Sequence, residues 1–229
     1  MAGGWYGLPL QAREAVYIRQ ARETAGLRRF VYGLLNLRSA GSVLEPGCGT
    51  GLILEEVSNL TDAVLTGMDR DAGALSIARG RVRNLHALEC DIETASFPRS
   101  GAVLLSHVLL ELEEPGRFLE RLASCLAPGG RVAVLGEYDW EAAECPGDPD
   151  LLESLRRSMR DDGLRTSVAG ELPGLLERSG LRIMHSGSAV SARPPDAGFL
   201  SGLPGVLDAG RASPGSLLML PVRWAVCGR

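Results

Sequence analysis

Residues Val43 to Gly51 read Val-Leu-Glu-Pro-Gly-Cys-Gly-Thr-Gly, and this stretch decides the fold. Its apolar start predicts a short buried strand, and its alternate glycines predict a tight turn into a helix over residues 52–60. Glycine is needed in such a turn because the backbone must bend sharply and let a ligand approach without a Cβ in the way. The stretch therefore predicts a ligand-binding turn at the carboxyl end of a strand.

Two kinds of ligand use such a turn, and the residues around it favour one of them. A dinucleotide needs G-x-G-x-x-G, but here the third glycine, Gly51, comes one residue early and Leu52 holds the expected position. Glu45 would repel a diphosphate and attract a cationic sulfonium or ammonium group, which favours S-adenosylmethionine. The next predicted strand ends at Asp69, whose carboxylate can accept hydrogen bonds from ribose hydroxyls in either ligand.

Short apolar runs alternate with amphipathic stretches along the chain, which is typical of βαβ units on a parallel sheet. We predict helices over residues 11–37, 52–60, 118–126, 151–160 and 171–179, and strands over 43–45, 64–69, 85–91, 102–106, 131–137, 181–185 and 217–227. Residues 186–216 are rich in Gly, Pro, Ser and Ala, and a connection of that length predicts a lid-like insertion. We expect an N-terminal helical cap over 1–40 and one domain over 41–229.

Further motifs follow in an order that resembles the class I S-adenosylmethionine-dependent methyltransferases of the small-molecule type. The segment from Glu45 to Gly51 resembles their glycine-rich loop, and Cys90-Asp91-Ile92 resembles their third-strand motif. Ser106-His107-Val108-Leu109 resembles the exit of their fourth strand, and Leu126-Ala127-Pro128-Gly129-Gly130 resembles the turn before their fifth. The likeness covers residues 40–140 well and residues 170–229 in pattern only.

This resemblance implies a fold and a cofactor site. The fold is a Rossmann-like α/β sheet of seven strands in the order 3-2-1-4-5-7-6, with strand seven antiparallel and helices on both faces. Asp69 would bind the ribose, Asp91 would bind the adenine amino group, and Ile92 would contact the adenine ring. The residues expected to bind S-adenosylmethionine, and its product S-adenosylhomocysteine, are Glu45, Gly47, Cys48, Gly49, Gly51, Asp69, Arg70, Asp91, Ile92, Ser106 and His107.

The sequence departs from the family pattern at two places. Gly101 and Ala102 stand where the family often has Asp at the start of strand four. The chain also lacks the Asn/Asp-Pro-Pro-aromatic sequence after strand four, which is characteristic of many amino methyltransferases acting on nucleic acid bases or glutamine. The first departure removes a minor structural contact of the family, and the second disfavours nucleic acid bases and glutamine as acceptors without excluding them.

The candidate catalytic residues are His107 and Glu137, near the carboxyl ends of predicted strands four and five. A neutral imidazole at His107 could take a proton from the acceptor, although a histidine that only packs beside the cofactor fits the pattern as well. Glu137 and Asp139 are alternative bases or ligands for an ammonium group. The spacing of these acids and the histidine is not that of a metal site, and we predict no metal.

Composition excludes several classes of function. All 24 basic residues are arginine, so chemistry through a lysine Schiff base is excluded. The longest apolar runs are far too short to cross a bilayer, which needs about 20 residues, and no secretory signal is seen. The five cysteines form no CxxC pair, which predicts reduced thiols and a cytoplasmic location.

The N-terminal segment is basic, with six arginines and two glutamates in residues 1–40, whereas the whole chain has a net charge of −4. Its helix either packs on the sheet or covers a pocket. Tyr6, Tyr17 and Arg19 could close over the cofactor. The simpler interpretation is a solvated arginine face formed by Arg13, Arg19, Arg22, Arg28 and Arg29.

We therefore predict in-line methyl transfer to an O, N, S or C nucleophile of a small molecule. One alternative is an RNA or protein methyltransferase that docks through the basic segment, although the net negative charge argues against nucleic acid. The other alternative is a catalytically inactive, cofactor-binding regulatory subunit of the same fold. We expect no membrane partner, and a homodimer is compatible with the resemblance.

Overall fold

Within residues 8–193, 195 and 216–229, which the computed structural model describes, seven strands form a mixed sheet in the order β3-β2-β1-β4-β5-β7-β6. The strands are β1 (Ser42–Pro46), β2 (Val64–Asp69), β3 (His86–Glu89), β4 (Ser100–Leu105), β5 (Leu126–Tyr138), β6 (Arg182–Arg193) and β7 (Leu218–Gly228). The helices are α1 (Leu10–Leu35), α2 (Leu52–Ser58), α3 (Ala72–Arg81), α4 (Pro115–Cys125), α5 (Pro149–Asp161) and α6 (Val168–Arg178). Strand β7 is antiparallel to both of its neighbours, which confirms the predicted fold class.

Neighbouring residues of the central strands enter different cores, because side chains alternate between the two faces of a sheet. In β4, Ala102 and Leu104 pack in a core with α1, α2 and α3. Val103 and Leu105 pack in the other core with α4, α5 and α6. The central parallel strands are therefore covered on both faces, and their carboxyl ends meet at one edge.

Two of the five arginines that were expected on a solvated face of α1 are buried, whereas Arg22 and Arg29 are exposed as expected. Arg13 is 7% exposed and Arg28 is fully buried, because each guanidinium forms an ion pair with a neighbouring element. Val31 and Tyr32 from the same helix join a buried core of the sheet. Helix α1 thus packs on the sheet, and the site described below shows that it also covers a cavity.

Helix α3 was not expected from the sequence. Its apolar positions are small, with Ala74 and Ala78 beside Leu75, so that the helical period is weak. The helix begins at a clear cap, where the side chain of Asp71 accepts a hydrogen bond from the Ala74 N–H at 3.0 Å. The capping residue Asp71, rather than the hydrophobic pattern, is the sequence feature that indicates helix α3.

The Pro-Gly-Gly segment that was predicted to separate a helix from a strand forms the start of β5. Leu126 pairs with Ser100 of β4, and Arg131 pairs with Ala102. The residues between Leu126 and Arg131 bulge out of the ladder, with Gly129 at a φ of 73°.

Strand β6 is longer than the predicted residues 181–185. It continues to Arg193 by pairing with β7, and this pairing runs from Arg182 opposite Gly228 to Arg193 opposite Leu218. Residues 186–193 were expected to belong to the lid-like insertion, because Ser, Gly and Ala give little apolar alternation. Backbone hydrogen bonds hold this part of the strand. Most of the remaining insertion, together with Trp5 and Tyr6, lies outside the described residues.

An ion pair between the buried Arg28 and the partly exposed Glu56 links α1 to α2. Arg28 Nε donates to Glu56 Oε2 at 2.9 Å, and Arg28 Nη2 donates to Glu56 Oε1 at 2.5 Å. The Tyr32 hydroxyl also donates to Glu56 Oε2, at 3.0 Å. Arg28 Nη2 donates a further hydrogen bond to the Ala21 carbonyl, at 2.6 Å. Since Arg28 has lost its water, Glu56 is its main compensating charge. Across the described residues, no helix is both long and apolar enough to cross a membrane.

We expect Glu56→Gln to lower the free energy of unfolding by about 2 kcal/mol, because it leaves the Arg28 guanidinium buried without its anion. Glu55→Gln is the matched control, since Glu55 is the neighbouring residue and its pair with Arg81, at 3.2 Å, is half exposed. The control should cost less than about 1 kcal/mol. Urea unfolding measures both values, and equal losses would contradict the role given to Glu56.

Candidate active site

The turn between β1 and α2 has the left-handed backbone that its glycines predict. Gly47, Gly49 and Gly51 have φ values of 70°, 50° and 78°. A Cβ on Gly47 would lie only 2.7 Å from Val108 Cγ2. The N–H groups of Gly47 and Cys48 donate to the Met68 carbonyl at 2.7 and 3.0 Å, which fixes the turn against β2. Gly47, Cys48 and Gly49 line a cavity at the carboxyl edge of the sheet.

Gly51 was expected to bind the cofactor, but it is not among the described residues that line this cavity. It caps the start of α2, where a Cβ would lie 2.9 Å from Ala78 Cβ and 3.1 Å from Ala78 Cα. The absent side chain therefore lets α2 and α3 pack closely.

Asp69 joins the glycine turn to the end of β2. Its Oδ2 accepts a hydrogen bond from the Gly49 N–H at 2.8 Å, and its Oδ1 accepts one from the Asp71 N–H at 2.9 Å. The carboxylate lines the cavity, and its remaining lone pairs can accept bonds from a ligand. The structure thus gives Asp69 a positioning role in addition to the predicted ligand contact.

Asp91, Ile92 and Arg70 line the cavity where it opens to solvent. Asp91 Oδ1 accepts a hydrogen bond from the Glu93 N–H at 2.9 Å, which orients the carboxylate after β3. Asp91 and Arg70 are exposed, whereas Ile92 is partly buried. An acceptor and an apolar side chain therefore stand side by side at this end of the cavity.

Glu45 lies at the bottom of the cavity and is 2% exposed. Burial raises the pKa of its carboxyl well above the usual range, while Arg28 opposes this shift. Its Oε2 has no hydrogen-bond partner within the described part of the chain. Since a buried acceptor without a donor costs free energy, a ligand group that carries N–H or positive charge is favoured here.

Helix α1 forms one wall of the cavity through Arg13, Tyr17, Gln20 and Ala21. A Cβ on Gly49 would lie 3.5 Å from Tyr17 Cε2, so the tyrosine ring covers the glycine turn. Arg13 Nη2 holds the helix to Asp71 Oδ2 at 2.6 Å. Tyr17 therefore lines the cavity, whereas Arg19 is not among the described lining residues.

His107 follows β4 and has an unusual backbone, with a φ of 53°. Its ring stacks on Tyr138, with the two ring centroids 4.6 Å apart, and both residues line the cavity together with Ser106. Both ring nitrogens are buried and have no hydrogen-bond partner within the described residues. Burial lowers the pKa of His107 to about 3, and Arg28 and Arg193 add to this shift. The imidazole is therefore neutral at physiological pH.

Glu137, the second candidate catalytic residue, is absent from the described lining of the cavity. It is fully buried, and its Oε1 accepts hydrogen bonds from the Val108 N–H at 3.0 Å and the Leu109 N–H at 3.1 Å. Burial raises the pKa of its carboxyl to about 8. Asp139, the other candidate acid, forms an ion pair with Arg223 at 2.8 Å. Glu137 therefore fixes the backbone that follows His107.

Several lining residues were missed by sequence reasoning. They come from the turn after β4, from the end of β5 and from α5. A buried aromatic or apolar side chain gives no sequence signal that separates a cavity wall from a core, which is why they were missed. These residues are Leu110, Leu112, Tyr138 and Met159. Trp140 also lines the cavity, and its sequence position was compatible with either a pocket wall or the core.

The described residues hold no cluster of His, Cys, Asp and Glu that could bind a metal ion. All five cysteines are free thiols. Cys48 contributes its backbone to the turn, while a Cβ on Gly67 would lie 2.7 Å from its buried Sγ. Burial raises the pKa of the Cys48 thiol, so this residue is not a ready nucleophile.

Comparison with known families identifies the region around this cavity. Residues 44–134 match the family model described as a methyltransferase domain. This part of the chain is therefore similar to methyltransferase domains. The matched residues run from β1 into β5 and include the glycine turn, Asp69, Asp91 and His107. S-adenosylmethionine is the cofactor of such domains.

Two relatives have similar sequences over this region. An uncharacterized methyltransferase of Mycobacterium bovis is 36% identical over 97 residues, which are 41% of this chain and 49% of the relative. The trans-aconitate 2-methyltransferase of Sinorhizobium medicae is 35% identical over 96 residues, 41% of this chain and 37% of the relative. This chain therefore matches half or less of the length of each of these relatives.

Solved structures share the whole fold. A Bacillus halodurans protein assigned as a methyltransferase has a TM-score of 0.66 at 15% identity, covering 89% of this chain and 97% of that one. The magnesium protoporphyrin IX methyltransferase of Synechocystis, solved with bound S-adenosylmethionine, has a TM-score of 0.53 at 13% identity, covering 92% and 83%. This chain has a cavity suited to this cofactor, since Glu45 leaves a buried acceptor atom and the glycine turn leaves room beside it.

We expect Glu137→Gln to flatten the dependence of stability on pH. Between the ordinary pKa of 4.5 and the folded value of about 8, the folded protein keeps a proton that the unfolded chain has lost. Stability should therefore fall as the pH rises through this window. Glutamine keeps the acceptor for Val108 and Leu109 and does not titrate, so the variant should be more stable than the native protein at pH 8 by about 1–3 kcal/mol.

Urea unfolding at pH 5 and pH 8 measures this difference. The control is Glu144→Gln, because Glu144 is exposed and should change neither value. An unchanged pH dependence in Glu137→Gln would show that this carboxyl is ionised in the folded protein at neutral pH.

Proposed function

We propose that this protein transfers a methyl group from S-adenosylmethionine to a nucleophilic O, N, S or C atom of a small molecule. The observation that carries the proposal is the set of carboxylates at the ends of three neighbouring strands around one glycine turn, Glu45, Asp69 and Asp91. Carboxylates attract the sulfonium and ammonium groups of this cofactor, whereas they repel the diphosphate of a dinucleotide.

Each carboxylate has a separate task in this proposal. Asp69 accepts hydrogen bonds from the ribose hydroxyls with the lone pairs that the turn does not use. Asp91 accepts a bond from the adenine amino group, and Ile92 contacts the ring. Glu45 lies below the turn and compensates the positive charge of the cofactor.

The cofactor supplies a methyl group that is already activated, so the protein mainly aligns the reactants and excludes water. Helix α1 serves the second task, because Tyr17 and Gln20 close one side of the cavity. The ion pair between Arg13 and Asp71 holds that helix over the turn. A strong base is not required for this reaction.

A small molecule fits the acceptor side of the cavity better than RNA or a protein chain. Tyr138, Trp140 and Met159 line it and are 5%, 1% and 0% exposed, so there is no open groove between them. Two arginines of α1 that an RNA-binding face would use, Arg13 and Arg28, are instead held in ion pairs. The named relative from S. medicae is a methyltransferase of trans-aconitate, a small molecule.

A cytoplasmic location is part of the proposal. All five cysteines are free thiols, and reducing compartments keep thiols in this state. Detection of disulfides in protein purified under native redox conditions would count against it.

We expect Asp69→Ala to weaken the binding of S-adenosylhomocysteine by about 1.5–3 kcal/mol, the scale of losing hydrogen bonds to a charged group. A ribose-specific readout is the 2′-deoxy analogue of this ligand, which the native protein should bind about tenfold more weakly. Asp69→Ala should bind both ligands alike.

Calorimetry measures the four affinities. Asp62→Ala is the control, because Asp62 is exposed in the loop before β2, at the opposite end of the strand, and should change none of them. If the variant lost affinity but still distinguished the two ligands, Asp69 would hold the turn without binding the ribose.

A further inference from the structure

We propose that the methyl acceptor is a neutral, flat compound whose hydroxyl group bonds to His107, with its apolar body enclosed by Leu110, Leu112, Tyr138, Trp140 and Met159. This inference rests on the proposed function and gives the substrate class of the same site. We call these five residues the apolar end of the cavity.

The apolar end is closed to solvent and has aromatic walls. Its residues are between 0% and 9% exposed and belong to one buried cluster. The rings of Tyr138 and Trp140 meet edge to face with centroids 6.2 Å apart, and Tyr138 stacks on His107. Such walls favour a flat ring, because aromatic pairs gain from stacked and edge-on contacts.

His107 supplies the polar group of this otherwise apolar space. Its two buried ring nitrogens have no partner among the residues described, and leaving them so costs free energy. A neutral imidazole has one N–H donor and one bare nitrogen. A hydroxyl group can donate to the bare nitrogen, so a hydroxyl compound satisfies an atom that the protein leaves unsatisfied.

Charge near His107 argues against an ionic acceptor. The nearby arginines are already compensated, since Arg28 pairs with Glu56, and Arg193 pairs with Glu23. They are therefore poor partners for a carboxylate acceptor. Glu111 is the one carboxylate of the described lining that lies in the turn after His107, and it already interacts within the protein, which makes it a poor partner for an ammonium acceptor.

Methyl transfer to the hydroxyl needs only the cofactor, the acceptor, His107 and water. A lone pair of the hydroxyl oxygen forms the bond to the methyl carbon, and the carbon–sulfur bond breaks with its electrons remaining on sulfur. The hydroxyl proton moves to the bare nitrogen of His107 and later to water. A weakly basic imidazole is sufficient, because the oxygen becomes strongly acidic as its new bond forms.

The test uses three probes of one shape and different charge: 2-naphthol, 2-naphthoate and 2-(aminomethyl)naphthalene. Each is titrated into native protein saturated with S-adenosylhomocysteine. We expect 2-naphthol to bind at least about tenfold more tightly than either ion, because the ions must lose their hydration. Equal affinities, or preference for the acid or the amine, would overturn the inference.

The matched variants are His107→Asn and His185→Asn. Asparagine tolerates the left-handed backbone at position 107, and His185 is exposed and distant from the cavity lining. His107→Asn should weaken 2-naphthol binding about tenfold and lower any methylation rate about 100-fold. His185→Asn should change none of these values. Unchanged 2-naphthol binding in His107→Asn would also overturn the inference.

The outcomes separate this inference from the proposed function. No binding of S-adenosylhomocysteine to the native protein would remove the proposed function itself. Tight binding of S-adenosylhomocysteine without preference for 2-naphthol would leave the proposed function standing and reject the acceptor class. The probe comparison needs only the native chain, so it decides the matter even if a variant does not fold.

Discussion

The carboxylate of Asp69 holds together the two chain segments on which the cofactor site depends. One oxygen fixes the Gly49 N–H of the glycine turn, and the other fixes the Asp71 N–H at the start of α3. Asp71 in turn caps α3 and binds Arg13 of α1. A single side chain at the end of β2 therefore sets the position of the turn, of one neighbouring helix and, through that helix, of the wall above the cavity.

The parts of the fold that could be predicted are those in which local chemistry and global structure agree. Buried parallel strands are short apolar runs, and a left-handed turn requires glycine, so that β2 and the turn after β1 were found with correct positions. Helix α3 has small apolar residues, and the distal part of β6 is held by backbone pairing. Neither has a periodic side-chain pattern, which is why the sequence alone did not reveal them.

The residues of the candidate site could also be predicted only in part. Ten of the eleven expected cofactor residues line the cavity, because glycines and acids at strand ends have a recognisable order; Gly51 instead serves the packing of α2 against α3. A catalytic role for Glu137 stays a prediction, since the residue is absent from the described cavity lining. Its sequence position, near the end of β5, is that of a site residue, yet its side chain turns to the N–H groups that follow His107. Which way a strand-end side chain points depends on packing that no single sequence displays.

The family match includes Leu110 and Leu112 of the apolar end of the cavity but not its other three residues. The match ends at residue 134, whereas Tyr138, Trp140 and Met159 all lie beyond it. Changes in these wall residues alter the shape of the acceptor end without touching the glycine turn, Asp69 or Asp91. The residues that shape this end of the cavity can therefore be changed independently of those that would bind the methyl donor.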